Sequence, residues 1–144
     1  MMSRPGCRCA MKKARVLVID DEPSVVDALR TILIDSGYEA VGAATAGEAL
    51  EHAKTHKIDI AIVDLKLPDM SGLVALGVIL DSCPEAAAVL ITAHETPQVR
   101  ADAIAAGFAA VLAKPFSPSA LLDVVAGVLA HRRANLGRPS GNCR

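Results

Sequence analysis

The chain has 144 residues and a formal net charge of −1, and 52% of its residues are hydrophobic but only 2% are aromatic. This length predicts one domain with a core of Ala, Val, Leu and Ile. The near-neutral charge excludes an overall positive field that would attract DNA or an anionic membrane, and the lack of aromatics excludes a stacking platform for single-stranded nucleic acid.

The N-terminal stretch MMSRPGCRCAMKKAR lacks the apolar segment of a secretory signal. No apolar run in the chain reaches the roughly 20 residues that a membrane-spanning helix needs. We therefore expect a cytoplasmic protein in which residues 1–13 form a disordered extension. The four cysteines lack metal-binding spacing and are expected to be reduced thiols.

Five apolar runs of strand length alternate with helical patterns over residues 14–131. After the first run, apolar residues recur at helical spacing between Pro23, which suits a first helical turn, and Gly37, which suits a C-terminal stop. After the second run, the spacing of Thr45 and Glu48 predicts a capping box. Strands are predicted over 15–20, 38–43, 58–64, 87–92 and 109–114, and later helices over about 73–82, 97–106 and 118–130.

This alternation, with nearly continuous apolar strands, predicts an α/β fold in which helices cover both faces of a five-stranded parallel sheet. Ligands of such folds bind beyond the carboxyl ends of the strands. The residues at those ends are Asp20 and Asp21 on strand one, Asp64 on strand three, Thr92 on strand four and Lys114 on strand five. The sequence therefore predicts a site at this edge, built from three acids, a hydroxyl and an amine.

The three carboxylates are the hard oxygen ligands that Mg²⁺ prefers. A bound cation would offset their mutual repulsion, which is roughly 4 kcal/mol per pair at 4 Å and an effective dielectric near 20. Lys114 and Thr92 supply a positive charge and a hydrogen-bond donor suited to phosphoryl oxygens. A carboxylate can also act as a nucleophile and form an acyl phosphate. Asp64 is the best placed for this role because it is the lone acid on the central strand.

Four motifs, VLVIDDEP, IVDLKLPDMSG, LITAH and LAKPF, lie in this order at the ends of predicted strands. Together they resemble the receiver domain of two-component response regulators, of the stand-alone kind similar to chemotaxis regulators, and the resemblance covers about residues 15–130. It implies a flavodoxin-like fold with strand order 2-1-3-4-5. It also implies that Asp64 is the phosphoacceptor and that the bond between Lys114 and Pro115 is cis.

The resemblance further implies a ligand set for Mg²⁺ in this domain. Asp21, Asp64 and the backbone carbonyl of Lys66 would bind the metal directly, with Asp20 in its outer shell. The hydroxyl and the amine at the ends of strands four and five would bind phosphoryl oxygens. Taken singly, each residue also has a purely structural explanation. An acid can stabilise the start of a helix through its dipole or cap a loop, a threonine can simply end a strand, and a lysine can simply be solvated. The prediction rests on their combination.

The chain departs from the family where an aromatic residue usually precedes the lysine by three positions. This position is Val111, whose stiff χ1 and lack of a ring predict a smaller or differently located surface change on activation. Lys66 and His94, two residues after Asp64 and Thr92, either tune the lifetime of the acyl phosphate or are solvated surface side chains. The alanine-rich fourth helix is either simply a good helix former or a flat face for docking or dimerisation.

The predicted function is that of a single-domain response regulator, with a receiver domain over 14–131 and a disordered basic tail over 132–144. A sensor histidine kinase or histidine phosphotransfer protein would supply the phosphoryl group. The output would be contact with a downstream protein or onward transfer of that group. We expect a signalling substrate rather than an enzyme, a monomer or weak homodimer, and no direct binding to DNA or membrane. The alternatives are a phosphorylation-independent interaction module, which Val111 favours, and an aspartyl phosphatase.

Overall fold

The computed structural model describes residues 13–136, with side chains up to residue 131. Strands and helices alternate throughout. The strands are β1 (Arg15–Ile19), β2 (Glu39–Ala43), β3 (Ile60–Asp64), β4 (Ala87–Thr92) and β5 (Ala110–Ala113). The helices are α1 (Pro23–Asp35), α2 (Ala46–Thr55), α3 (Gly72–Ser82), α4 (Pro97–Ala106) and α5 (Pro118–Leu136).

The five strands form one parallel sheet in the order β2-β1-β3-β4-β5. This confirms the predicted α/β fold and its strand order. The register pairs Ile19 with Val63, and Thr92 with Ala113. Strands β1, β3, β4 and β5 therefore end close together, so the residues that follow them meet at one edge of the sheet.

The sheet separates two hydrophobic cores, because successive side chains of a strand point to opposite faces. Leu17 and Ile19 belong to the core under α2, α3 and α4, while Val16 and Val18 belong to the core under α1 and α5. All four side chains are fully buried. Burial of each such aliphatic side chain contributes about 1.5–3 kcal/mol. Both cores consist almost entirely of aliphatic residues, as the composition predicts, and Phe108 is the aromatic exception among the buried side chains of the described residues.

The helix ends agree largely with the signals in the sequence. The Thr45 hydroxyl accepts a hydrogen bond from the Glu48 amide at 3.1 Å, and Glu48 accepts one in return from the amide of Ala44, one residue before the cap. Gly37 follows α1 with φ +97°, a conformation that glycine adopts without strain. Helix α5 is longer than predicted, since it ends at Leu136 rather than near residue 130.

Two terminal segments are predicted to be disordered. Most of their residues, 1–12 and 137–144, lie outside the part of the chain that the structure describes. The same holds for every cysteine except Cys83, which is a buried free thiol. Over residues 13–136, no helix combines the length and the apolar character that crossing a bilayer requires.

Candidate functional site

Three acids meet at the carboxyl edge of the sheet, as predicted. Asp20 directly follows β1, Asp21 is the next residue, and Asp64 is the last residue of β3. Each offers a carboxylate oxygen, and these oxygens lie within 4.8 Å of one another. Asp20 is fully buried, Asp64 is partly buried and Asp21 is exposed. The acid cluster therefore opens to solvent on the side of Asp21, where a cation can reach it.

Lys114 directly follows β5, and its side chain extends into this cluster. Its ammonium group donates a hydrogen bond to Asp20 Oδ2 at 2.8 Å and lies 3.7 Å from Asp64 Oδ1. The other oxygen of Asp20 accepts the Glu22 amide at 3.0 Å. Asp20 thus has partners for both oxygens, which fits a position behind the other two acids rather than at the open face.

Thr92 ends β4 beside the lysine. Its side chain is buried, and its hydroxyl accepts a hydrogen bond from the His94 amide at 3.0 Å. The Lys114 amide donates to the Thr92 carbonyl at 2.8 Å, which ties the two residues together through the backbone. The peptide bond between Lys114 and Pro115 is cis, as the resemblance predicts.

The charges at the site perturb two pKa values. Burial, followed by the negative charge of Asp20, raises the pKa of Asp64, although the Lys114 charge and a hydrogen bond from the Lys66 amide oppose the change. Burial alone would lower the pKa of Lys114. The hydrogen bond to Asp20 and the negative charges around the amine outweigh burial, so this pKa is raised. A single ammonium group therefore compensates only part of the acid cluster's charge.

The loop over 65–71 is held tightly against Asp64. The Gly72 amide donates to the Leu65 carbonyl at 2.7 Å, and Lys66 forms a bridge with Ser71 across the loop. A Cβ on Gly72 would lie 2.3 Å from the Asp64 carbonyl oxygen, so this position requires glycine. The loop brings the Lys66 peptide beside the Asp64 carboxylate, which accepts its amide hydrogen.

Asp69, in the same loop, is a residue that the sequence analysis did not single out. Its two carboxylate oxygens accept the amides of Ala46 and Gly47, each at 3.1 Å, at the start of α2. The bond from the Ala46 amide, with that from Gly47, lowers the pKa of Asp69 and outweighs the opposing effect of desolvation. The one feature of the sequence that could have drawn attention to Asp69 is that it is an acid in the loop after the central strand. Its partners lie 23 and 22 residues away, so the sequence does not reveal the contact.

The remaining candidates differ in exposure. Val111 is buried in the core under α2, α3 and α4, so its side chain belongs to the packed interior. Lys66 and His94 are both exposed at the rim of the site. On α4, Ala103 is buried and Ile104 is 61% exposed.

The donor set suits a hard divalent cation. Three carboxylates with oxygens within 4.8 Å of one another match the preference of Mg²⁺ for oxygen ligands, and the exposed side leaves space for water or phosphate oxygens. A carboxylate nucleophile, an ammonium group and a hydroxyl next to such a cation are the groups that phosphoryl transfer to a carboxylate requires.

Comparison with known proteins adds independent observations. The family model for the response regulator receiver domain matches residues 16–126 of this chain. The transcriptional regulatory protein KdpE of Mycobacterium tuberculosis is 41% identical over 101 residues, which are 70% of this chain and 44% of KdpE. This chain therefore spans less than half the length of that relative. The chemotaxis protein CheY of Thermotoga maritima is 35% identical over 112 residues, which are 77% of this chain and 93% of CheY.

A solved structure gives the same result for the fold. It is the crystal structure of a response regulator protein from Burkholderia pseudomallei with a phosphorylated aspartic acid, calcium ion and citrate. Its TM-score against this chain is 0.75 at 26% sequence identity, and the match covers 92% of this chain and 78% of the other.

Proposed function

Because this chain belongs to the family of response regulator receiver domains of two-component systems, we propose that Asp64 accepts a phosphoryl group from a phosphohistidine with Mg²⁺ bound. The observation that carries the proposal is the position of the Lys114 ammonium group between Asp20 and Asp64, 3.7 Å from the candidate nucleophile. The phosphorylated aspartic acid and the calcium ion named for the Burkholderia pseudomallei protein support the same chemistry.

In the proposed reaction, a carboxylate oxygen of Asp64 attacks phosphorus. The new P–O bond forms as the P–N bond to the donor histidine breaks, and the imidazole leaves with the electron pair. Lys114 would pair with one phosphoryl oxygen, since its amine already lies beside Asp64. The Thr92 hydroxyl would donate to another. When bound, Mg²⁺ would neutralise the negative charge shared by the carboxylates and the phosphoryl oxygens.

The residues proposed to hold the metal are Asp21, Asp64 and the carbonyl of Lys66, with Asp20 behind them. Asp21 is the exposed member of the acid cluster and so the accessible ligand. Asp20 is buried and already hydrogen-bonded to Lys114, which favours an outer position. Lys66 and His94 are exposed beside the site, where each could influence access of water to the acyl phosphate.

The proposed signal passes from a sensor histidine kinase or a histidine phosphotransfer protein to this domain. The phosphorylated domain would then engage a downstream protein or pass the phosphoryl group on. We propose that it acts as a signalling substrate, as a single receiver unit that is a monomer or weak homodimer, and not through turnover of a small molecule. The similarity to CheY over 93% of that protein's length supports action as a single unit.

A phosphorylation-independent interaction module is the second candidate. The buried valine at position 111 favours this candidate, because the position has no aromatic ring that could rotate between a buried and an exposed orientation. The two candidates differ in one measurable quantity, the affinity for a protein partner before and after phosphorylation. An affinity that does not change would favour the second candidate.

The test of the first candidate is the intact mass of the protein after incubation with a small acyl phosphate and Mg²⁺. We expect one added phosphoryl group, lost in Asp64→Asn and in the presence of a chelator. Asp81→Asn is the matched control, because Asp81 is an exposed acid on α3 outside the acid cluster. If folded wild-type protein takes up no phosphoryl group from the small donor or from a phosphohistidine protein, the proposal is wrong.

A further inference from the structure

The start of α2 is capped both by a local residue and by a side chain from a distant loop. The first amides of a helix have no partner within the helix itself. Here Thr45 provides the local cap by accepting the amide of Glu48. The amides of Ala46 and Gly47 are instead satisfied by Asp69, which comes from the loop after β3. One carboxylate thus connects two elements that are distant in sequence.

The same loop contacts the candidate phosphoacceptor at its first residues. The Lys66 amide donates to the Asp64 carboxylate. The loop closes through the bond from the Gly72 amide to the Leu65 carbonyl. Between these contacts, Leu67 and Met70 pack against the core under α2, α3 and α4, and Asp69 accepts two hydrogen bonds from the start of α2 as an ionised acceptor. Bonds of this kind are about twice as strong as neutral ones.

We propose that Asp69 is a positioning residue for the metal and phosphoryl site. Its carboxylate ties the 65–71 loop to the start of α2, and the tied loop holds the Lys66 peptide in place beside Asp64. This inference rests on the proposed function, because the Lys66 carbonyl matters only if it binds the metal. Loss of the two Asp69 bonds leaves the loop held only by its internal contacts, so the Lys66 carbonyl is positioned less firmly and Mg²⁺ binds more weakly.

The test compares Asp69→Ala with Thr45→Ala in the full chain. Both variants remove a cap from the first turn of α2, but only Asp69→Ala releases the loop. The measurement is the Mg²⁺ affinity by titration calorimetry, which needs no phosphorylation. We expect Asp69→Ala to weaken binding by about tenfold, the lower end for residues that support a metal ligand. Thr45→Ala should bind Mg²⁺ as wild type does.

Asp69→Asn keeps an acceptor for one of the two amides, so its affinity should lie between those of wild type and Asp69→Ala. The midpoint of phosphorylation against Mg²⁺ concentration should shift in the same order, with less change in the rate at saturating Mg²⁺. Equal weakening in Asp69→Ala and Thr45→Ala would show that Asp69 is only a helix cap and overturn the inference. Unchanged affinity in Asp69→Ala would also overturn it.

The outcomes separate this inference from the proposed function. If wild type binds Mg²⁺ but accepts no phosphoryl group, the proposed function fails, and the calorimetric comparison of the variants still decides the role of Asp69. If wild type binds no Mg²⁺ at all, both proposals are wrong. Circular dichroism of each variant identifies a loss of affinity that is caused by unfolding.

Discussion

Replacement of Asp64 by asparagine should stabilise the metal-free protein. Asp64 shares the site with two further carboxylates, and among the described side chains Lys114 is the one cation that pairs with them. Burial and Asp20 raise the pKa of Asp64, so the charged form is less favourable in the folded chain than in the unfolded chain. Asparagine keeps an oxygen to accept the Lys66 amide but carries no charge. The substitution therefore removes a repulsion while it retains the local hydrogen bond.

The size of the effect follows from the distances. At 4.8 Å, the upper limit of the separation between these carboxylate oxygens, the repulsion of Asp64 by each of the other two acids is ~3.5 kcal/mol for an effective dielectric near 20. The attraction to Lys114 at 3.7 Å is ~4.5 kcal/mol on the same scale. The balance is unfavourable by about 2.5 kcal/mol, and solvent screening around the exposed Asp21 reduces it. We expect Asp64→Asn to raise the free energy of unfolding by about 1–2 kcal/mol.

Urea denaturation with a chelator and with Mg²⁺ measures this difference. In chelator, Asp64→Asn should be more stable than wild type, and Asp81→Asn should match wild type. Mg²⁺ at ten times its dissociation constant should stabilise wild type by about 1.4 kcal/mol, and Asp64→Asn by much less. If Asp64→Asn is less stable than wild type in chelator, the Asp64 carboxylate is favourable in the folded state, and the reasoning from repulsion is refuted.

The other predictions concern the loop and the interior. Gly72→Ala should lower the free energy of unfolding by about 1–3 kcal/mol and slow phosphorylation, because its Cβ would overlap the Asp64 carbonyl. Gly77→Ala, in the same helix with open space around it, should raise stability by up to about 1 kcal/mol in the same urea assay. Asp69 should stabilise the fold above its ordinary pKa of 3.8 and lose this effect as the pH falls through its lowered pKa. The stability difference between Asp69→Ala and wild type should therefore shrink in acid urea titrations, and a constant difference would contradict it. With Val111 buried, hydrogen exchange with and without a phosphoryl mimic should show only a small change over α4 and β5, and a large change there would refute this prediction.

Much of the fold and the location of the site could be predicted from the sequence because both depend on local patterns. Apolar runs identify parallel strands, and parallel strands bring their carboxyl ends to one edge. The strand ends therefore predict that Asp20, Asp21, Asp64, Thr92 and Lys114 lie together, and the structure brings these five residues to the same edge.

The sequence did not reveal how the loop after β3 is held. PDMSG predicts a turn, but not that Asp69 reaches the amides of α2. The sequence explains Gly72 only as a residue that suits a turn. The structure explains it by the close approach of the Asp64 backbone, which leaves no room for a Cβ. Such contacts join segments that are far apart in the chain, and their geometry depends on how the elements pack. Local patterns carry no information on it.

The separation of the interior into two cores has a consequence for how this chain can diverge. Leu17 and Val18 are neighbours in β1, yet they face different helical layers. Substitutions at distant sites without shared contacts have nearly additive effects on stability. One layer can therefore accumulate changes that suit a new binding protein while the other keeps its surface. Duplicated copies of such a domain can acquire separate signalling routes without first rebuilding the sheet that carries the acids.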